Sequence, residues 1–209
     1  MAFLLVVAVV VAAAAVVAHV DGGSGLSPLR ARIVALAEGQ VGYRTDPADT
    51  YCNRFSAYWE AGVDDCGGNG NLDEEWCADF AAWVWKQAGA EVTYQLAPGS
   101  LNGDSASFYV WGTDHGTWHP IGSHYTPQPG DVAVYGLDTT AVTAVHVAVV
   151  TGDTGDDAAP DVVNGDGDRT GYSVVEVGDH QAFADVKGNG AALSGYVSPS
   201  APPATSASS

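Results

Sequence analysis

Asp131–Leu137 (DVAVYGL) and His146–Thr151 (HVAVVT) carry a repeat of two residues, which places successive side chains on opposite faces of a strand. Asp161–Asn164 (DVVN) and Tyr172–Val177 (YSVVEV) repeat the signal, and Gly195–Val197 adds a short last run, with Gly and Asp turns between them. Upstream the period becomes helical. In Leu29–Gly39 (LRARIVALAEG), Leu29, Ile33, Leu36 and Ala37 fall on one face and Gly39 is a stop. Asp73–Ala88 (DEEWCADFAAWVWKQA) predicts a second helix, with Asn71 as cap and Glu74 as its capping-box partner. Asp73 to Glu75 suit the positive end of that helix, Lys86 suits the other, and Gly89 ends it. Residues 43–72 are rich in turn formers, with a short helix expected over Phe55–Ala61. Helices followed by hairpin-connected strands imply an α+β fold, N-terminal helices packed on a small antiparallel β-sheet.

The 209 residues are enough for one domain with a sizeable core. Ala2–Ala18 (AFLLVVAVVVAAAAVVA) is unbroken and apolar, with small residues placed for a signal-peptidase cut. Residues 1–20 are expected to be a signal peptide or, left uncleaved, a membrane anchor; the protein is then secreted, or exported and membrane-anchored. Residues 26–197 form the expected folded domain, and Ser198–Ser209 (SPSAPPATSASS) a disordered low-complexity tail. A formal net charge of −18, with only Lys86 and Lys187 as lysines, excludes nucleic acid and anionic membrane as electrostatic partners. A membrane contact is expected only if the N-terminal segment stays uncleaved.

Three cysteines leave an odd one out in an oxidising compartment. Cys52 and Cys66 bracket a turn-rich segment and are expected to form a disulfide, worth about 3 kcal/mol for a loop of that size. Cys77 is then the thiol left over, read as lying in the first turn of a helix, where the dipole favours a thiolate. At ~100° per residue, Phe80, Ala81, Val84 and Ala88 share its face while Asp79 and Lys86 point away. An inert core cysteine would fit the same helix, and the nearby acids Glu74, Glu75 and Asp79 oppose a thiolate. His146 opens a strand, where its ring stands at the sheet rim, and Ala148 and Val150 follow it on the same face. A histidine base needs an orienting partner for its second nitrogen. Asn164 and Asp166, two apart at the end of the next strand, are the candidates, although Asn164-Gly165 also reads as a plain turn.

Trp76-Cys77-Ala78-Asp79-Phe80-Ala81-Ala82-Trp83-Val84, then Pro129-Gly130-Asp131-Val132-Ala133-Val134-Tyr135, then His146-Val147-Ala148-Val149-Val150 resemble the blocks of a CHAP domain, in its order. The family comprises cysteine, histidine-dependent amidohydrolases and peptidases, related to NlpC-type peptidases through a papain-like core. The resemblance runs roughly from Leu29 to Val177. It implies a hydrolase with Cys77 as nucleophile, His146 as base and peptidoglycan or a peptide as substrate. Where the family often has Glu-Gly-Asn, this chain has Asn164-Gly165-Asp166; Asn164 is preferred as third member and Asp166 is the alternative. The rival readings are an NlpC-type cell-wall endopeptidase and a non-catalytic exported binding module on the same fold. Tyr51 and Asn53 are candidate side-chain donors to an oxyanion.

No metal or cofactor is assigned. Asn69, Asn71, Asp73 and Glu75 alternate, with Asp79 beyond, as in an oxygen-rich calcium loop, but helix capping accounts for three of them. Gly165-Asp166-Gly167-Asp168 reads as a polar hairpin loop. His115 and His119 have the spacing of a zinc pair, yet Gly116 and Pro120 disfavour the helix that would align them.

Overall fold

The computed structural model describes residues 25–152, 160–167, 174–178 and 191–201. The expected leader and most of the tail, from residue 202, lie outside the described residues, as do Tyr172 and Ser173 of the expected fourth strand.

Helix α1 spans Pro28–Glu38, and the hydroxyl of Ser27 caps it by accepting from the Arg30 N–H at 3.3 Å. Proline begins the helix, where a missing N–H costs nothing. A two-residue strand β1 (Cys52–Asn53) leads into α2 (Arg54–Trp59), and β2 (Leu72–Asp73) pairs back antiparallel onto β1. The main helix α3 is Cys77–Ala88. A fourth helix, α4 (Ala106–Asp114), and strand β3 (Trp118–Pro120) follow. Then come β4 (Val132–Tyr135), β5 (His146–Val150), β6 (Val162–Gly167), β7 (Val174–Gly178) and β8 (Leu193–Val197). These strands form one antiparallel sheet in the order β3-β8-β4-β5-β6-β7. The expected α+β architecture, helices packed on an antiparallel sheet, is the one observed.

Two hydrophobic clusters divide the sheet by parity. Val132, Val134, Val147, Val149, Val163, Val175 and Val197 join the helices in the main core. Ala133, Tyr135, Ala148, Val150, Val162 and Tyr196 form a second cluster. Along α3 only Lys86 and Gln87 are exposed, because α1 and α2 cover one side and β5 and β6 the other. The indole of Trp85 donates to the carbonyl of Gly130 at 3.0 Å, fastening α3 to the turn before β4. On that turn Asp131 is fully buried, its carboxylate accepting from Arg30 at 2.8 Å, from the Tyr125 hydroxyl at 2.7 Å and from the Gln128 N–H at 2.8 Å.

Several expectations from sequence need correction. The second helix starts at Cys77, four residues later than Asp73, and neither Asn71 nor any other side chain caps it. Leu72 and Asp73 are taken up by the ladder with Asn53 and Cys52, and Asp73 exchanges backbone hydrogen bonds with Val63. That pairing outcompetes the local capping signal. Asn164–Gly167 is not a turn but the end of β6, with a bulge between Asn164 and Gly167 where Asp166 takes φ +60°. The last strand, β8, inserts between β3 and β4. The first residues of the expected tail are tied down: the Ser198 N–H donates to Thr117, and the Ser200 carbonyl accepts from Glu91.

Candidate active site

The loop closed by Cys52–Cys66 is bridged as expected, with Cα atoms 5.7 Å apart, and Cys77 stays outside any disulfide. Because α3 begins at Cys77, the thiol stands at the first helical residue, closer to the positive end of the dipole than a start at Asp73 implied. It is 5% exposed. Three residues on and on the same face, Phe80 packs so closely on β6 that a Cβ added to Gly165 would lie 2.5 Å from its own Cβ. Only glycine fits there, and that approach holds the first turn of α3 against the strand that carries Asn164.

His146 and Asn164 are brought together. Their contact, Nε2 to Oδ1, is 3.1 Å, with the histidine 1% exposed and the asparagine fully buried. A carbonyl oxygen only accepts, so Nε2–H donates and the basic lone pair is on Nδ1. That contact fixes the orientation of the ring and its tautomer. The ring lies 6.2 Å from that of Tyr135, its cross-strand partner in the register of β4 and β5, on the parity of Ala148 and Val150. Asp166 is also buried, at the bulge. Cys77 is delivered separately, by α3, and its sulfur lies 3.2 Å from the hydroxyl of Ser105. Sequence reasoning missed Ser105, and no local pattern could have found it, since 28 residues separate the two.

Behind the thiol, Asp79 does point away from it, but into the protein. Fully buried, it accepts from Ser56 Oγ at 2.5 Å and from the Tyr94 hydroxyl. Ser56 is held in turn by Asn53, whose Oδ1 caps α2 through the N–H groups of Phe55 and Ser56 at 2.9 and 2.7 Å. Asn53 Nδ2 donates to the carbonyl of Tyr51 at 2.9 Å and to Ser56 at 3.0 Å, so its amide is committed and is withdrawn as an oxyanion donor. Burial pushes the Asp79 carboxyl up, against the opposing pull of the Ser56 and Tyr94 hydrogen bonds. Burial and then the charge of Asp79 also push up Tyr94, and burial with the neighbouring acids raises Glu74.

Asn69 and Asn71 both turn their amides onto the carbonyl of Asp46, at 2.7 and 2.8 Å. His115 ends α4 stacked on Trp111, whereas His119 lies in β3 stacked on Tyr125, so no helix pairs them. A surface groove of about 300 Å³ is lined by Leu96, Pro98, Asn102, Asp104, Val110 and Val142, and neither Cys77, Ser105, His146 nor Asn164 lines it. Val142, a β-branched residue, holds φ +54° on its rim.

Residues 67–166 match the family model of the CHAP domain. That span takes in α3, β4, β5 and β6 as far as Asp166, and hence Cys77, His146 and Asn164; it is narrower than the stretch the sequence suggested and omits α1 and β7. No curated protein matches the sequence. Among solved structures, NlpC2 from Trichomonas vaginalis is similar at 14% identity with a TM-score of 0.45, over 84% of this chain and 48% of that one, so this chain spans about half of its length.

Proposed function

From the premise that this chain carries a CHAP domain, of the cysteine- and histidine-dependent amidohydrolase and peptidase family, we propose that it hydrolyses amide or peptide bonds of peptidoglycan through Cys77, His146 and Asn164. The observation that carries the proposal is the His146–Asn164 hydrogen bond, which leaves Nδ1 as a base in a buried site. An unbridged thiol at the first residue of a twelve-residue helix supports the nucleophile.

In the mechanism proposed, Nδ1 takes the proton of Cys77 and the thiolate adds to the scissile carbonyl. N–H groups at the start of α3 face the developing oxyanion. Collapse of the adduct breaks the C–N bond, and Nδ1–H gives its proton to the departing amine. Water then attacks the thioester, with Nδ1 taking the proton, and the thiol is regenerated with release of the carboxylate. Asn164 keeps Nε2–H engaged throughout, so the ring does not rotate away between the two half-reactions.

Export completes the proposal: residues 1–20 act as the leader, residues 26–197 as the catalytic unit, and the Cys52–Cys66 bridge suits an oxidising compartment. The test is to incubate the purified protein with intact sacculi and identify products by mass spectrometry. Release of new amine termini at the muramyl amide or within the stem, abolished in Cys77→Ser, is the expected result. No product from sacculi or from isolated stem peptides would leave the non-catalytic binding module as the better reading.

A further inference from the structure

Ser105 immediately precedes α4, where a serine ordinarily turns its hydroxyl back onto the helix N–H groups. Here it does not. Its backbone is already helical, at φ −56° and ψ −34°, and its side chain makes no capping hydrogen bond. Asp104 caps the helix in its place, with Oδ1 accepting from the Ala106 N–H at 2.9 Å and the backbone carbonyl accepting from Ser107 at 2.9 Å. Asn102 steadies Asp104 in turn, accepting its N–H at 2.8 Å. The Ser105 hydroxyl is thereby directed to the Cys77 sulfur, 3.2 Å away, in a contact where the two residues are 6% and 5% exposed.

We infer that Ser105 is a positioning residue that donates its O–H to the Cys77 thiolate and so lowers the proton affinity of the sulfur, an inference that rests on Cys77 being the nucleophile. A thiolate is a far better acceptor than a thiol, and a hydroxyl a better donor than S–H, so the bond strengthens when sulfur ionises. That difference between protonation states is what shifts a titration. The acids on α3 and its approach are Glu74, Glu75 and Asp79, with Asp104 before α4 and Asp166 on β6, and His146 is on β5. The cations of the packed elements are engaged elsewhere or exposed: Arg30 with Asp131, Arg32 with the Ala88 carbonyl, Arg54 with Gln40, and Lys86 in the last turn of α3. The acids oppose a thiolate. A neutral O–H donor offsets them without adding a positive charge that would repel the imidazolium.

The experiment is the rate of iodoacetamide alkylation against pH on the intact, Cys52–Cys66-oxidised protein, in which Cys77 is the reactive thiol. Wild type is expected to inflect well below the ordinary thiol value of about 8.5. Ser105→Ala moves the inflection up by about one unit, roughly tenfold less thiolate at neutral pH, and Ser105→Thr returns it toward wild type. Ser105→Gly repeats the loss of the hydroxyl should the alanine variant fail to fold. A merely structural role would lower the thermal midpoint and leave the pH profile in place. A depressed wild-type profile on which Ser105→Ala or Ser105→Gly superimposes overturns the role of Ser105 alone. A wild-type inflection at the ordinary value overturns the nucleophile reading together with this one.

Discussion

The first turn of α3 carries two buried polar groups that are wired differently. On one side Asp79 joins Ser56, Asn53 and Tyr94 in a network that links α3 to α2 and to the segment before α4. Its members are matched throughout: a carboxylate that accepts, a Ser56 hydroxyl that accepts from Asn53 and donates to Asp79, a Tyr94 hydroxyl that donates, and an amide that does both. On the other side Cys77 meets Ser105, and His146 meets Asn164, in pairs that the proposal assigns to setting a protonation state. A saturated network rigidifies, since each buried group lost leaves another unpaired. A reactive site has to keep a nucleophilic lone pair and a basic one. The comparison predicts that the two sides fail differently, the network through stability and the pairs through turnover.

The largest effect is expected at the pairs. Cys77→Ser and His146→Ala should each reduce hydrolysis by roughly 10³-fold or more, and the double variant by little beyond either, because residues that act as a unit are non-additive. Thermal midpoints should stay near wild type. Additive losses in product-release assays would break the unit. At the network, Asp79→Ala should cost about 3 kcal/mol in urea unfolding, since it leaves the Ser56 and Tyr94 hydroxyls unmatched in a buried position. A loss of activity without loss of stability at Asp79 would erase the distinction between the two sides.

A smaller effect is expected where the pairs are held from behind. Asn164→Ala should lower kcat by about 10- to 100-fold while Cys77 alkylation is retained, less than the full contribution of a general base. Asp166→Ala should matter less, and the reverse ranking would transfer the orienting role to Asp166. The smallest effect is a pH dependence of stability. Burial raises the folded value of Asp79 above its unfolded one. Its contribution is therefore fully present below the unfolded value of about 3.9 and is lost as pH rises through the folded value. Asp79→Asn does not titrate, so its stability should shift in the variant's favour, relative to wild type, as pH rises from about 3.5 to neutrality. Urea midpoints across that range check it, and a gap independent of pH would mean that Asp79 is not titrating against its surroundings.

By itself the sequence determined the element types that carry their own period: α1, α3 and strands β4 to β8, together with the disulfide loop, the unbridged Cys77 and a histidine at the start of a strand. These follow from side-chain spacing and the fixed geometry of helix and strand, which need no distant partner. It also kept Asp166 beside the preferred Asn164 as an alternative, since spacing along a strand does not say which one meets the ring. The tertiary structure decided the rest through contacts that local signals do not encode. The β1–β2 ladder consumed Leu72 and Asp73 and moved the helix start to the nucleophile candidate itself. The bulge in β6 replaced an expected turn and broke the simple alternation between Asn164 and Asp166. Helix α4, unmarked by a strong period, brought Ser105 to a sulfur 28 residues away. Asp79, whose charge suggested solvent, was buried because α2 and Tyr94 close over it with matching donors. Each of these is a pairing made only after the chain has folded back on itself, where burial makes an unmatched polar group costly and so selects the arrangement that satisfies it.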